Sequence, residues 1–106
     1  MNEVKNLRPR HAFGYDGTWI NIYHANIGEG LAKHDHIYTH CTACYAGKLK
    51  VTKEKGEWIL TKESTPVVLT AGEWHELEAI EDGTVWTNIF AQEFMDQDMA
   101  THRYTK

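Results

Sequence analysis

Short stretches of strand-forming residues, separated by turns that mostly contain glycine, recur along nearly the whole chain. β-Branched and aromatic residues are frequent in residues 19–24, 45–52, 57–61, 66–70, 74–80 and 84–90. Asp16-Gly17 and Asp82-Gly83 are two-residue hairpin signals, and residues 53–56 form a charged turn that ends at Gly56. Strands spaced by roughly eight to twelve residues predict an all-β sandwich or barrel. We favour a barrel, because closure removes most exposed sheet edges.

The length and composition are those of one soluble domain spanning residues 1–106. No apolar run approaches the roughly 20 residues of a membrane-spanning helix, and the first residues contain no apolar secretion signal, so we expect a cytoplasmic protein with no membrane partner. The net charge is −4 and the 11 basic residues are scattered, which argues against a nucleic-acid partner. Only residues 92–100 are predicted to be helical, and such a helix would be short.

Three of the seven histidines lie within the seven residues of "HDHIYTH", at positions of the same parity: His34, His36 and His40. Side chains at even spacing share one face of an extended strand, so the three imidazoles project to one side if no bulge intervenes. A histidine-rich surface loop is the alternative. Imidazoles held close together are costly to protonate together, so the cluster favours a metal site.

The following "CTAC" does not complete a zinc knuckle. Cys41 and Cys44 have opposite parity, and no glycine or proline precedes Gly47 to make the tight turn that two cysteine ligands would need. We expect Cys44 to point inward as a small apolar residue and Cys41 to point outward. With no secretion signal, a disulfide framework is not expected either.

The spacing resembles that of the cupins, which are small double-stranded β-helix (jelly-roll) barrels with a metal inside. Their first motif, G-x5-H-x-H followed by a glutamate and then x6-G, matches about residues 28–47, from Gly28 through His34 and His36 to Gly47. Their second motif, G-x5-P-x-G-x2-H-x3-N, lies at about residues 64–79 and is matched mainly by Gly72 and His75. The resemblance covers roughly half of the chain.

The resemblance implies a metal held by four histidines: His34, His36, His40 and His75. His40 stands where cupins usually have a glutamate, and four-histidine variants occur among small cupins. Neutral imidazoles leave a divalent ion its full charge, which favours anionic ligands. Glu73, Glu76 or Glu78 could moderate this charge, but parity places Glu76 and Glu78 on the face opposite His75 if His75 points inward. Imidazole ligation does not choose among Mn, Fe, Ni, Cu and Zn.

For function, the resemblance offers dioxygenase, isomerase and lyase chemistry on a small oxygen-rich substrate such as a dicarbonyl or hydroxy acid. The rival hypotheses are a non-catalytic, metal-assisted binding or sensor module and a purely structural metal site without a pocket. Because the chain is short, we expect a small pocket close to the metal, with Tyr38 as the candidate catalytic residue. Its other candidate walls are Trp74, Trp86, Asn88 and Phe90, and we expect most of these aromatic residues to be plain barrel core.

The resemblance also implies a homodimer, since small cupins commonly pair through their sheets. Aromatic and β-branched strands and an extended N-terminus are compatible with such a dimer.

Overall fold

The computed structural model describes residues 3–95, which form ten strands and a single helical turn at residues 92–95. The short C-terminal helix expected from the sequence is present, and its predicted continuation over residues 96–100 lies outside the described residues. The strands are β1 Lys5–Asn6, β2 His11–Tyr15, β3 Thr18–Ala25, β4 Glu29–His34, β5 His40–Ala46, β6 Leu49–Lys53, β7 Gly56–Leu60, β8 Val67–Leu69, β9 His75–Ala79 and β10 Thr84–Ala91.

The strands form two five-stranded sheets, which confirms the all-β barrel. The first sheet has the order β1-β4-β9-β6-β7, and the second has the order β2-β3-β10-β5-β8. After the β2–β3 hairpin the chain passes from one sheet to the other at every connection except the β6–β7 hairpin, so that most pairings join strands distant in sequence. This is the jelly-roll arrangement predicted above.

Two of the predicted hairpins are correct. Asp16 and Gly17, both with positive φ (51° and 79°), join β2 to β3, and the charged turn before Gly56 joins β6 to β7. The third hairpin is wrong. Asp82-Gly83 does form a turn, but β9 pairs with β4 and β6, whereas β10 pairs with β3 and β5.

Polar side chains at the corner of the barrel explain why this turn joins two sheets. Asp82 Oδ1 accepts a hydrogen bond from the Ile27 amide (3.0 Å), and Asn26 Oδ1 accepts one from the Gly83 amide (3.2 Å). The Thr84 hydroxyl donates to the Glu81 carbonyl (2.7 Å). The turn is therefore bonded to the β3–β4 corner, and β10 is directed into the second sheet.

The stretch 45–52, expected as one strand, is also interrupted at a corner. Gly47 has φ 71°, and an added Cβ there would lie 2.3 Å from Thr84 Oγ1. The same hydroxyl oxygen accepts a hydrogen bond from the Lys48 amide (3.2 Å). β5 therefore ends at Ala46, and β6 starts in the other sheet at Leu49.

Residues 7–10, here called the N-terminal segment, cross from one sheet to the other at the end of the barrel that holds the histidines. The Leu7 amide donates to the Gly30 carbonyl on β4 (2.9 Å), and the Arg10 amide donates to the Ile22 carbonyl on β3 (2.7 Å). Just before the segment, Asn6 Oδ1 accepts a hydrogen bond from the Ala32 amide (2.7 Å). The segment is thus fixed at both ends.

The apolar core lies between the two sheets, and Leu7 of the N-terminal segment packs against it. Trp86 is fully buried and stacks on Tyr23 with ring centroids 4.8 Å apart. Other members of this core include Leu49, Val51, Leu60, Leu69, Leu77 and Ala79. The described residues contain no helix that could span a bilayer.

Candidate metal centre

A bulge in β4 places His34 opposite His75. The regular antiparallel register pairs Leu31 with Leu77 but shifts by one residue before His34, which pairs with His75. Without the shift, Trp74 would stand opposite His34. Because directly opposed residues share a face, the bulge makes the two imidazoles neighbours, and their ring centroids are 4.4 Å apart.

His36 and His40 reach the same place by a different route from the one expected. Residues 34–40 are not one extended strand: β4 ends at His34, residues 35–39 form a loop, and β5 begins at His40 in the other sheet. The loop is bonded to the turn before β9, since the Gly72 amide donates to the His36 carbonyl (2.8 Å) and the Ala71 amide donates to Thr39 Oγ1 (3.0 Å). His34, His36 and His40 are therefore neighbours, as expected, but they do not lie on one extended strand.

All four histidines lie close together. The ring of His36 is 4.6 Å from that of His34 and 5.5 Å from that of His75, and the ring of His40 is 5.2 Å from that of His75. The ring nitrogens of His34, His36 and His75 lie within 4.8 Å of one another, a group able to hold a metal ion. His40 Nε2 lies 3.4 Å from His75 Nε2.

Hydrogen bonds at Nδ1 fix the tautomer of three of these histidines. Nδ1 of His34 lies 2.5 Å from the Ala32 carbonyl oxygen, and Nδ1 of His75 lies 3.1 Å from the Glu73 carbonyl oxygen. A carbonyl oxygen only accepts, so both Nδ1 atoms carry the proton. His40 Nδ1 lies 3.3 Å from Thr42 Oγ1, and that hydroxyl donates its own proton to Asn88 Oδ1 (2.7 Å), so this Nδ1 is also the donor.

The three Nε2 atoms are therefore left with lone pairs, as metal ligands require. Burial, reinforced by the charges of neighbouring histidines, lowers the pKa of His40 to about 3. Burial is also the main reason that the pKa of His75 falls to about 4. Two unprotonated nitrogens facing each other at 3.4 Å repel each other unless a cation lies near both.

The nearby acidic residues behave largely as their parity predicts. Glu78 lies on the outer face of its sheet, where it pairs with Lys50 (3.4 Å). The side chain of Glu73 pairs with Lys53 (3.4 Å), and it is the backbone carbonyl of Glu73 that orients His75. No carboxylate occurs in the histidine group found among the described residues.

The two cysteines are packing residues, as expected. Cys44 is 6 % exposed and belongs to the apolar core, and burial raises the pKa of its thiol. Cys41 points to the outer face of the second sheet. Both thiols are free.

A pocket of about 910 Å³ opens beside the histidines and is larger than the small cavity expected from the chain length. Tyr38 is one of its walls, with its ring stacked between those of His36 (4.6 Å) and Phe90 (4.4 Å). The lining comprises Asn6, Leu7, Arg8, Pro9, Ala12, Asn21, Tyr23, Leu31, Ala32, Lys33, His34, His36, Tyr38, His40, Asn88, Phe90 and Met95. The N-terminal segment contributes Leu7, Arg8 and Pro9 to this lining, which was not expected from the sequence.

Of the candidate walls, Asn88 and Phe90 line the pocket, whereas Trp74 and Trp86 do not. Trp86 lies in the apolar core, and Trp74 lies outside the pocket lining, where its ring carries the Lys33 ammonium 4.3 Å from its centroid. Thr42, which links Asn88 to His40, was not expected from the sequence. The only signal for Thr42 was its parity with His40 on a strand.

Comparison with known proteins supports the fold. No protein-family model matches the chain, and no curated protein matches it in sequence. Among solved structures, KdgF from Halomonas sp. is 14 % identical with a TM-score of 0.69, over 76 % of this chain and 74 % of that one. A cupin-2 domain protein from Shewanella frigidimarina is 11 % identical with a TM-score of 0.64, over 80 % and 83 % of the two chains.

A cupin superfamily protein from Desulfitobacterium hafniense is also similar, at 14 % identity and a TM-score of 0.62, over 80 % of this chain and 81 % of that one. The chain therefore has the fold of a small cupin, as its motifs predicted. At these identities the similarity establishes the fold, and the chemistry must be argued from the histidine cluster itself.

The lowered pKa values of His40 and His75 predict how the stability of the metal-free protein depends on pH. Unfolding returns both imidazoles to ordinary pKa values near 6.5, so the unfolded state binds more protons below that pH. We expect the free energy of unfolding to be fully present above pH 6.5 and to fall as the pH drops toward 4, with uptake of up to about two protons on unfolding. Urea titrations of chelator-treated protein measure this, and His40→Gln should reduce the slope. A flat profile in the wild-type protein would contradict the buried, neutral state of these histidines.

Proposed function

We propose that His34, His36, His40 and His75 hold a divalent transition metal, and that the protein is a metal-dependent enzyme acting on a small oxygen-rich substrate. The observation that carries the proposal is the shared tautomer of the cluster. Oxygen acceptors at three Nδ1 atoms leave the Nε2 lone pairs free, and two of these meet at 3.4 Å. Such an arrangement is costly in the metal-free protein and is what a metal ion needs.

Imidazole ligands suit Fe, Ni, Cu and Zn, and Mn is compatible with them. A divalent ion in this site would supply Lewis-acid or dioxygen chemistry for dioxygenase-, isomerase- or lyase-type reactions. Four neutral ligands leave its charge uncompensated, which favours a substrate that binds through anionic or enolisable oxygens, such as a dicarbonyl or hydroxy acid.

The pocket supports an enzyme over a closed structural site. His34, His36 and His40 are themselves part of its lining, so a ligand in the pocket reaches the cluster directly. Tyr38 stands next to His36 on the same wall, and we assign its hydroxyl the role of donating a hydrogen bond or a proton to the bound substrate. Asn88 holds the Thr42 hydroxyl and thereby the orientation of His40.

Metal content tests the four-histidine site. We expect about one equivalent of a transition metal in the wild-type protein and its loss in His34→Ala and His75→Ala. His40→Ala decides between three and four ligands. We expect this variant to bind the metal more than about 100-fold more weakly, because removing a ligand should weaken binding more than removing a residue that hydrogen-bonds to a ligand. Elemental analysis and competition with a chelator measure both.

His24→Ala is the matched control, because His24 is an exposed histidine outside the cluster. Each variant must also unfold cooperatively, so that loss of metal is not loss of fold. Wild-type affinity in His40→Ala would reduce the site to three histidines, and retention of metal in His34→Ala or His75→Ala would refute the site.

Turnover separates the enzyme from a binding module. We expect the metal-loaded protein to convert at least one small dicarbonyl or hydroxy acid, detected as oxygen consumption or, by proton NMR in D₂O, as isomerisation, cleavage or deuterium exchange beside the carbonyl. Tyr38→Phe should lower kcat by about 100-fold or more while leaving the metal content unchanged. Substrate binding without turnover in all these assays would instead support a metal-assisted binding or sensor module.

We further propose that the chain forms a homodimer through the outer face of the second sheet. The five strands of this sheet contain no Asp, Glu, Lys or Arg residue. The outward-facing residues include Phe13, Ile20, Ile89 and Val68, which alternate along their strands with inward-facing neighbours. The outer face of the first sheet, in contrast, carries charged cross-strand neighbours such as Lys50 and Glu78. Two copies related by two-fold symmetry would bring this uncharged face of each chain together, so that each face covers the other.

Light scattering during size exclusion tests the dimer. We expect twice the chain mass for the wild-type protein and a monomer for Ile89→Lys, because the variant places an ammonium group at the centre of the uncharged face. Thr52→Lys, on the outer face of the other sheet between Glu57 and Glu76, is the matched control and should remain dimeric. A monomeric wild-type protein at micromolar concentration, or a dimeric Ile89→Lys variant, would reject this interface.

A further inference from the structure

A row of uncharged polar side chains crosses the inner face of the second sheet. Asn21 on β3, Asn88 on β10 and Thr42 on β5 are partners in the sheet register, so their side chains lie next to one another on one face. Both asparagines line the pocket. On β10, Trp86 of the apolar core precedes this row and Phe90 of the pocket lining follows it. The row is therefore a polar part of the pocket wall between two apolar parts.

The oxygen atoms of both asparagine amides already accept hydrogen bonds from the protein. Asn88 Oδ1 accepts one from the Thr42 hydroxyl (2.7 Å), and Asn21 Oδ1 accepts one from Trp19 Nε1 (2.9 Å). These bonds fix which end of each amide is the oxygen. An asparagine held in this way has its two N–H donors left, on the amide nitrogen.

The amide nitrogen of Asn88 has no hydrogen-bond acceptor among the residues that the structure describes. Asn88 is only 4 % exposed, yet its Nδ2 is not one of the fully buried polar atoms that lack a partner in this part of the chain, which are Trp86 Nε1 and Thr87 Oγ1. Nδ2 is therefore accessible from the pocket that Asn88 lines. A ligand that supplies an acceptor would satisfy it, because a buried N–H group without a partner is costly.

The surroundings of this amide suit an oxygen that carries negative charge. Asn88 lies next to the histidine cluster, since the Thr42 hydroxyl that it holds is 3.3 Å from His40 Nδ1. No Asp or Glu occurs among the described lining residues, so no carboxylate competes for the amide protons. Asn21 is the weaker of the two donors, because it also hydrogen-bonds to Tyr23.

We propose that Asn88, assisted by Asn21, is a substrate-binding residue whose amide N–H groups donate hydrogen bonds to the enolate oxygen of a dicarbonyl substrate. This inference rests on the proposed function, since it takes the histidines to hold the same substrate. A fixed amide does not have to reorient when negative charge develops on the oxygen, and this favours loss of a proton from an enolisable compound. A hydroxy acid would also bring a hydroxyl proton, for which both amide oxygens are already used.

The test compares two probes of the metal-loaded protein. Pentane-2,4-dione can bind as its enolate, whereas imidazole binds metals through nitrogen and offers the amides no oxygen. Isothermal titration calorimetry measures both affinities in proteins of equal metal content. We expect Asn88→Ala to bind pentane-2,4-dione about tenfold more weakly, which is the effect of losing one hydrogen bond to a charged group, and to bind imidazole as the wild-type protein does. Asn21→Ala should show a smaller loss of the same kind.

Asn88→Asp separates hydrogen-bond donation from the support of His40. This variant keeps an oxygen for the Thr42 hydroxyl but has no N–H donor, so we expect it to retain the metal and to bind pentane-2,4-dione more than about tenfold more weakly. It also replaces Asn88→Ala if that variant does not unfold cooperatively. Thr87→Val is the matched control and should bind both probes as the wild-type protein does. Thr87 precedes Asn88 on β10, faces the other side of the sheet, and its hydroxyl has no partner among the described residues.

Wild-type affinity for pentane-2,4-dione in Asn88→Ala or Asn88→Asp would overturn the inference. An equal loss of imidazole binding would also overturn it, because the effect would then lie at the metal rather than at the substrate oxygen. If the wild-type protein binds imidazole but not pentane-2,4-dione, the metal site stands and the role of Asn88 is refuted. If it binds neither probe although the metal is present, the open metal site of the proposed function fails, and the inference fails with it.

Discussion

The contact between His40 and His75 joins the two sheets at the candidate metal centre. His40 begins β5 in one sheet, His75 begins β9 in the other, and their Nε2 atoms lie 3.4 Å apart in a buried space. Neither ring can turn the other nitrogen inward without giving up a hydrogen bond to an oxygen. Protonation would relieve the repulsion, but burial opposes it, and this is why we propose that a metal ion lies near both rings.

The sequence predicted the members of this cluster better than the path that assembles them. Spacing within one strand is a local property, and the even positions 34, 36 and 40 are visible in the sequence. The bulge that turns His34 toward His75 is set by pairing with a strand more than 40 residues away, and no local signal marks it. Parity within residues 34–40 could not identify His75 as a neighbour. The cupin motif could, because its spacing describes residues that lie together in the folded barrel.

The same distinction explains the errors in the fold. Asp16-Gly17 and Asp82-Gly83 have the same chemistry, and both form turns. The first turn is a hairpin and the second joins two sheets, because Asn26 and Asp82 bond the second turn to a distant corner. Turn chemistry is local, whereas the choice of partner strand is made by contacts across the barrel. The position of the N-terminal segment beside the pocket could not be expected from the sequence for a related reason, since it depends on hydrogen bonds to β4 and β3.

The absence of charged residues from the second sheet links the pocket to the proposed dimer. Alternation along β5 and β10 gives each strand two faces: Thr42 and Asn88 point inward to support His40, while Cys41 and Ile89 point outward. Covering the outer face would restrict the strands whose inner face sets the tautomer of His40. The dimer would then stiffen the strands that hold one part of the histidine cluster while leaving the pocket open, because His40 and Asn88 line the pocket from the inner face of those strands. In the proposed dimer, the charge pattern of one sheet would serve both assembly and the geometry of the site.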